Sequence, residues 1–285
     1  MTFVTGKGGV GKSTVAGALA LRAAREGARA ALVEFDDGEA GARALRGADA
    51  EVGHVVVDYD AALEEAVAGV LGGALMARTL LGHGAVRRLV KAMPALREFV
   101  SLEKVRSLVA AGAFDRVVVD LPASGHAVDW LRVPGAFERF LLGGPLGALG
   151  RRLREELIAE GKSDLVLVTL AEPLVMRETE DLAGRLRGEL GRGATLVVVN
   201  RVARPDPPGA AEAAERLASA APGVAAPASF AGLLRARSAL ASEGTRALAM
   251  ARAVEAAALA ALPEAAADPP AVDVARWLEE GALAA

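Results

Sequence analysis

Cysteine is absent from the 285 residues of this chain. Its absence excludes a disulfide framework, a thiolate metal site and a thiol redox centre. Excess charge is missing too: 33 basic residues face 36 acidic ones, a net of −3, so overall charge gives no hold on a nucleic acid. No block of like charges marks an interaction tail. No apolar run reaches the roughly 18 uncharged residues that a membrane span requires, so stable membrane insertion is not expected. A glycine-rich motif begins at Gly6, which leaves no space ahead of it for a signal peptide. These absences lead to the expectation of a cytoplasmic protein that binds no nucleic acid. Apolar residues make up 53% of the chain; alanine inflates that figure, but a sizeable core is within reach of one large α/β domain.

Lysine is nearly missing as well. Five of the 33 basic residues are lysine, and two of the five stand in one short stretch, Gly6-Lys7-Gly8-Gly9-Val10-Gly11-Lys12-Ser13-Thr14. A chain that otherwise uses arginine keeps lysine here for a chemical reason: a compact ammonium on a flexible stem suits a phosphate oxygen in a tight cradle. The spacing is that of a phosphate-binding loop, G-x-x-x-x-G-K-S/T, set between a strand and a helix. Its glycines let backbone N–H groups turn toward phosphates, and the helix N-terminus adds a favourable dipole. Lys12 is expected on the β- and γ-phosphates, Ser13 on Mg²⁺ and Thr14 near the α-phosphate. The plain alternative is a glycine-rich turn that matches by chance, and the strand–loop–helix context argues against it.

Short runs rich in valine and leucine alternate with helical patterns. Strands are expected at 2–5, 30–35, 116–120, 164–169 and 195–200, with a weaker one at 54–58. Helices between them indicate a mostly parallel sheet covered on both faces, an α/β P-loop NTPase fold. The first helix, 13–26, should end at Gly27 as its C-cap. Residues 60–113 hold no convincing strand and read as a helical insertion broken at Gly72-Gly73, at 82–84 and at Pro94. Within it Val67, Val70, Leu71, Leu75 and Met76 fall near one face. A second helical stretch is expected at 134–161, with Phe137, Phe140, Leu141 and Leu142 close together. The expected organisation is a P-loop domain with a helical subdomain over 1–262, then a linker and a short tail helix containing Trp277 over 263–285.

Hydrolysis at such a loop needs carboxylates at the C-terminal ends of parallel strands, one in the Mg²⁺ shell and one to orient the attacking water. Asp120, followed by Leu-Pro-Ala-Ser-Gly-His, is the expected metal-shell carboxylate. Asp36, in Val33-Glu34-Phe35-Asp36-Asp37-Gly38, is the expected water-orienting one, and Asp37 competes for the role. The plainer reading of each is a strand-end turn former.

The loop, the Asp120 segment and Leu170-Ala171-Glu172-Pro173-Leu174-Val175-Met176-Arg177-Glu178-Thr179-Glu180 together resemble the ArsA family of ATPases. That family includes the arsenite-pump ATPase and the ATPase that guides tail-anchored membrane proteins. The loop alone matches only the broader class shared with MinD and ParA. Further matches at 57–63, 93–105 and 198–200 extend the similarity over roughly residues 2–240. The resemblance implies ATP and Mg²⁺ as cofactors and a face-to-face dimer, with itself or with a related subunit. In it Lys7 reaches across to the partner's phosphates. It also implies Asp36 in a first switch, and Asp120 and Gly125 in a second switch whose backbone senses the γ-phosphate. Asn200 would hydrogen-bond adenine, which suits an amide that both donates and accepts. A loop around 227–230, with Pro227, would close over the base. His126 resembles the family's switch histidine, and Glu172 matches a position near the opposing nucleotide.

The departures are also informative. The first switch of that family usually reads Asp-Pro-Ala-His; here it is Asp36-Asp37-Gly38-Glu39, nearer the MinD form. The paired-cysteine zinc clamp and the cysteines of the arsenite site are missing, and the long insertion after the second switch in tail-anchor carriers is short here. The function expected is a Mg²⁺-dependent ATP hydrolase, a nucleotide-gated dimer that couples closure to a protein client such as a hydrophobic helix. A MinD/ParA-like positioning ATPase is the alternative, although such proteins use a basic amphipathic tail. The tail here sets Asp273, Glu279 and Glu280 against Arg276. Its apolar side, Val274, Trp277 and Leu278, is free to dock on this protein or on a partner. An anion or metalloid export pump is disfavoured, because soft metalloid ions want thiolates.

Overall fold

The computed structural model describes residues 1–281 apart from 36, 92, 123, 142–143, 205, 208, 221–224, 255 and 266. Strand β1 (Thr2–Gly6) leads through the glycine loop into α1 (Lys12–Arg25), followed by β2 (Ala30–Glu34), α2 (Glu39–Ala44) and β3 (Val52–Val56). Four helices then run without a strand between them: α3 (Tyr59–Leu71), α4 (Ala74–Gly82), α5 (Gly84–Lys91) and α6 (Pro94–Ala110). The chain returns to the sheet in β4 (Arg116–Asp120), then forms α7 (Ser124–Phe140) and α8 (Pro145–Leu153), which passes into a π-helical turn at 154–158. Next come β5 (Asp164–Leu170), α9 (Pro173–Leu190) and β6 (Ala194–Val202). Helices α10 (Ala210–Ala220) and α11 (Ala225–Ala253), strand β7 (Ala256–Pro263) and helix α12 (Ala271–Glu279) complete it.

The strands lie parallel in the order β3-β2-β4-β1-β5-β6-β7. Strand β1 is central, with Thr2 opposite Val118 of β4 and Asp164 of β5. Successive side chains point to opposite faces. Phe3, Val33, Val119, Leu167 and Val199 therefore enter one core, shared with α6, α7, α9 and α11. Val4, Leu32, Val118, Val168 and Val198 enter the other, shared with α1 and α12. Because both faces are covered, both sets are apolar, and this makes the strands read as near-continuous valine and leucine runs. The α/β P-loop NTPase fold with a helical subdomain is the observed fold.

Four local expectations are corrected. Strand β7 falls where no strand was expected: alanine is a poor strand former, and here pairing decides the conformation, with Ala258 beside Leu196 and Leu259 beside Val197 of β6. The linker accordingly begins after Pro263. Helix α7 starts at Ser124, ten residues before the expected stretch, and carries Pro134 in its interior. Its Phe137 stacks on Phe99 of α6, centroids 4.1 Å apart, while Phe140 is exposed and Leu142 lies outside the described residues. The third correction concerns the apolar face of the insertion. Gly72 caps α3 in the left-handed region at φ 78°, and α4 leaves at 118° to α3. Val67 packs against the core, whereas Leu75 and Met76, on the other helix, face solvent. Among the described residues no single helix is long and apolar enough to cross a membrane; α3 and α4 match such a span only together, across this bend. Fourth, residues 227–230 belong to the start of α11 and not to a loop. The tail helix α12 docks on α1, burying Ala271, Val274 and Ala275 with Trp277 and Leu278 packed alongside.

Candidate nucleotide site

The strand ends of β1, β2, β4 and β6 gather their side chains at one edge of the sheet, the edge where open parallel sheets bind ligands. Gly11, at φ 93°, is the N-cap of α1. A Cβ there would lie 2.5 Å from Asn200 Nδ2, so glycine is required both by the backbone conformation and by this approach. Asn200 Nδ2 donates to the Val10 carbonyl at 2.9 Å, and Asn200 Oδ1 accepts from the Arg201 N–H at 2.9 Å. Asn200, the residue expected on adenine, here ties the loop to β6. Arg201 holds a left-handed backbone, φ 56°, and its guanidinium pairs with Asp268 at 2.9 Å.

Ser13 Oγ donates to Asp120 Oδ2 at 2.5 Å, so the hydroxyl at the head of α1 and the carboxylate at the end of β4 meet. Lys12 Nζ donates to the Lys7 carbonyl at 3.2 Å. Burial pulls the Lys12 pKa below the usual lysine range, and the negative charge of Asp120 opposes that shift. Phosphate oxygens in the cradle would strengthen the charged form in the same way. A cavity of about 470 Å³ is lined by Gly11, Lys12, Thr14, Arg43, Arg201 and Pro270. A second, of about 260 Å³, is lined by Lys12, Ser13, Glu34, Asp37, Asp120 and Pro122. The first extends from the loop toward Arg201 and Pro270, the second toward the Ser13–Asp120 contact at the end of β4. Another cavity of about 390 Å³ lies at the opposite edge, against Met1, Lys162 and Arg192, and has no phosphate loop in its lining.

The donor set fits magnesium. A hydroxyl and a carboxylate at hydrogen-bond distance are hard oxygen donors, and Mg²⁺ takes one or two such protein groups together with phosphates and waters. No cluster of three or more His, Cys, Asp or Glu residues suited to a metal is present among the described residues.

Lys7 Nζ lies 2.8 Å from Glu178 of α9, in the same chain, with both side chains 41% exposed. Glu178 stands in the segment that carries the ArsA resemblance, yet nothing in the sequence marked it apart from its neighbours. Asp36 lies outside the described residues. Gly125, His126 and Pro227 are described in their backbone, within α7 and α11, and not in their side chains. Glu172 is the exposed N-cap residue of α9. The segment that borders the larger cavity is Asp268-Pro269-Pro270, after β7; sequence reasoning missed it together with that strand.

Residues 1–248 match the CobQ/CobB/MinD/ParA nucleotide binding domain, CbiA. The chain belongs to this family. ATPase BagA of Mycobacterium tuberculosis is 32% identical over 234 residues, 75% of this chain and 68% of that protein. The arsenical pump-driving ATPase of Escherichia coli is 27% identical over 163 residues, 51% of this chain and 27% of that protein. ATPase GET3 of Phaeosphaeria nodorum is 25% identical over 154 residues, 49% of this chain and 46% of that protein. The chain is therefore a CbiA-family P-loop nucleotide-binding domain with weak similarity to ArsA- and GET3-type ATPases.

Proposed function

We propose that this chain is a Mg²⁺-dependent ATP hydrolase that works in the cytoplasm as a nucleotide-gated dimer and couples ATP-driven closure to a protein client. The observation that carries the reading is the convergence of Lys12, Ser13 and Asp120 on one cavity beside the phosphate loop, with the Lys7 carbonyl accepting from Lys12 Nζ. Ser13 and Asp120 would hold Mg²⁺, which when bound neutralises phosphate charge. Lys12 grips the terminal phosphates. The γ-phosphoryl passes to water, giving ADP and phosphate, with catalysis by positioning and charge stabilisation. Asp36 is the first candidate to orient the water, and Asp37, which lines the same cavity, is the second.

The Lys7–Glu178 pair supports a way for the proposed dimer to be gated. A half-exposed ion pair is worth about 0–1 kcal/mol. A partner's phosphates, carrying more charge in a drier interface, outbid one carboxylate for the same ammonium. The monomer therefore keeps Lys7 at home, and ATP draws it across. For the client, the support is the exposed Leu75, Met76 and Leu80 of α4, together with the likeness to GET3. A MinD/ParA-like switch is the runner-up; α12, whose apolar side is packed on α1, is a poor candidate for its membrane anchor. A metalloid pump has no thiolate to work with.

The test is ATP hydrolysis with Mg²⁺, measured together with the molar mass in ATP, in ADP and without nucleotide. Phosphate release with a dimer in ATP only supports the reading. Hydrolysis by a persistent monomer would remove the dimer from it, and no hydrolysis at any concentration would remove the enzyme. Binding of an apolar helical peptide in ATP but not in ADP tests the client.

A further inference from the structure

Glu34 has no place in the proposed reaction, yet it is a buried carboxylate in the wall of the cavity that Lys12, Ser13 and Asp120 line. It ends β2, two residues before Asp36. Both its oxygens lie 2.9 Å from the backbone N of Gly41, in the first turn of α2. Gly38, the N-cap of that helix, has no side chain to satisfy the orphan amides. Glu34 supplies the missing acceptor from the neighbouring strand. Its Oε2 also lies 2.6 Å from His54 Nε2 on β3. Asp37 Oδ1 accepts from the Glu39 N–H at 3.0 Å and completes the first turn.

The fit around this carboxylate is close. A Cβ on Gly41 would stand 2.0 Å from Glu34 Oε2 and 2.6 Å from its Cδ. A carboxylate is costly to bury unless it is paired and hydrogen-bonded. Its partners here are the backbone that follows the first switch and a histidine on the next strand. On the cavity side, the same wall carries Lys12, Ser13, Asp37 and Asp120. The length and direction of the Glu34 side chain therefore set how far residues 37–41 stand from the phosphate loop.

We propose that Glu34 is a positioning residue for hydrolysis: its carboxylate, shared between the Gly41 amide and His54, holds the first switch at the distance from Ser13 and Asp120 that the water-orienting carboxylate requires. The inference rests on the ATPase reading above. Glu34 acts through the switch backbone and touches neither nucleotide nor metal. Loss of its hold therefore lowers turnover and spares binding, which belongs to the glycine loop.

The experiment compares the full chain with Glu34→Ala, Glu34→Gln and Gly41→Ala, reading phosphate release, binding of a fluorescent ATP analogue and amide exchange over 37–44. Misplacement of a reacting group by a fraction of an ångström lowers rates steeply, so Glu34→Ala should lower kcat about tenfold or more. ATP affinity should stay within about twofold, the pattern of an interaction made only on the way to the transition state. Glu34→Gln keeps an acceptor oxygen for Gly41 and should recover most of the rate. Gly41→Ala, which leaves the carboxylate in the chain but displaces it, should repeat the loss, and it tests the idea even where Glu34→Ala does not fold. Amides 39–44 should exchange faster in both damaging variants. Parent kcat in folded Glu34→Ala or Gly41→Ala, with only a lower Tm, would overturn the proposal and leave a structural role. Absence of phosphate release from the parent itself would strike the ATPase reading instead; in that case unchanged exchange at 39–44 in Glu34→Ala would overturn the hold as well.

Discussion

On α6, Phe99 and Leu102 are 1% and 0% exposed; on α4, two helices earlier, Leu75 is 80% and Met76 59% exposed. The two helices belong to the same insertion, and α4 is the more apolar of the two by sequence. They differ in what they meet. Helix α6 lies on the sheet, where Phe99 stacks on Phe137 and its neighbours join the main core. Helix α4 turns away from α3 at Gly72 and packs against α3 and α5, burying Ala77 alone among its described residues. A large apolar side chain left in water gains nothing from folding, and Leu75, Met76 and Leu80 are the surface at which the proposed client would bind. The sheet edge shows a different economy: polar groups near the loop find partners within the chain, Ser13 with Asp120, Lys7 with Glu178 and Glu34 with Gly41. Among the described residues, these groups are satisfied internally while the apolar side chains of α4 stand in water.

The contrast can be broken or sharpened by substitution. The largest effect belongs to the sheet edge. Lys12→Ala should lower ATP turnover by about a hundredfold or more, since it removes a charge aimed at developing phosphate charge; a phosphate-release assay reads this, and near-parent activity would detach the loop from the chemistry. Next, Leu102→Ala should cost about 2–5 kcal/mol in a denaturant titration, the loss expected for a fully buried leucine. A cost comparable to that of an exposed site would mean that α6 is no more anchored than α4. Third, Glu178→Ala frees Lys7 from its contact within the chain and should favour dimers at lower ATP. The shift is modest because an exposed pair is worth about 0–1 kcal/mol; sedimentation across an ATP series measures it. The smallest effect on the fold comes from Leu75→Ser with Met76→Ser. Stability should move by about 0.5 kcal/mol or less, with turnover near that of the parent, while binding of an apolar helical peptide in ATP is lost. Retained peptide binding would place the client elsewhere.

The central strands were legible because a sheet covered on both faces demands apolar residues at every position, as in Val117-Val118-Val119 of β4. The loop was legible because few sequences besides a phosphate cradle need four glycines and two lysines within residues 6–12. What stayed hidden depends on tertiary partners. Strand β7 is an alanine run whose conformation is decided by β6, and missing it hid Asp268-Pro269-Pro270 beside the larger cavity. Glu178 and Glu34 look like any surface glutamates until folding sets them against Lys7 and Gly41. Asn200 was noticed as an amide at a strand end, but its contact with Val10 requires the loop and β6 to be seen together.

The proposed trans role of Lys7 is reached directly by a rate measurement. ATP hydrolysis per protomer should be followed across protein concentration for the parent chain and for Lys7→Ala. The account predicts a parent rate that rises with concentration to a plateau, and a Lys7→Ala rate that stays low throughout while ATP still binds. Equal rates in the two proteins, independent of concentration, would contradict it.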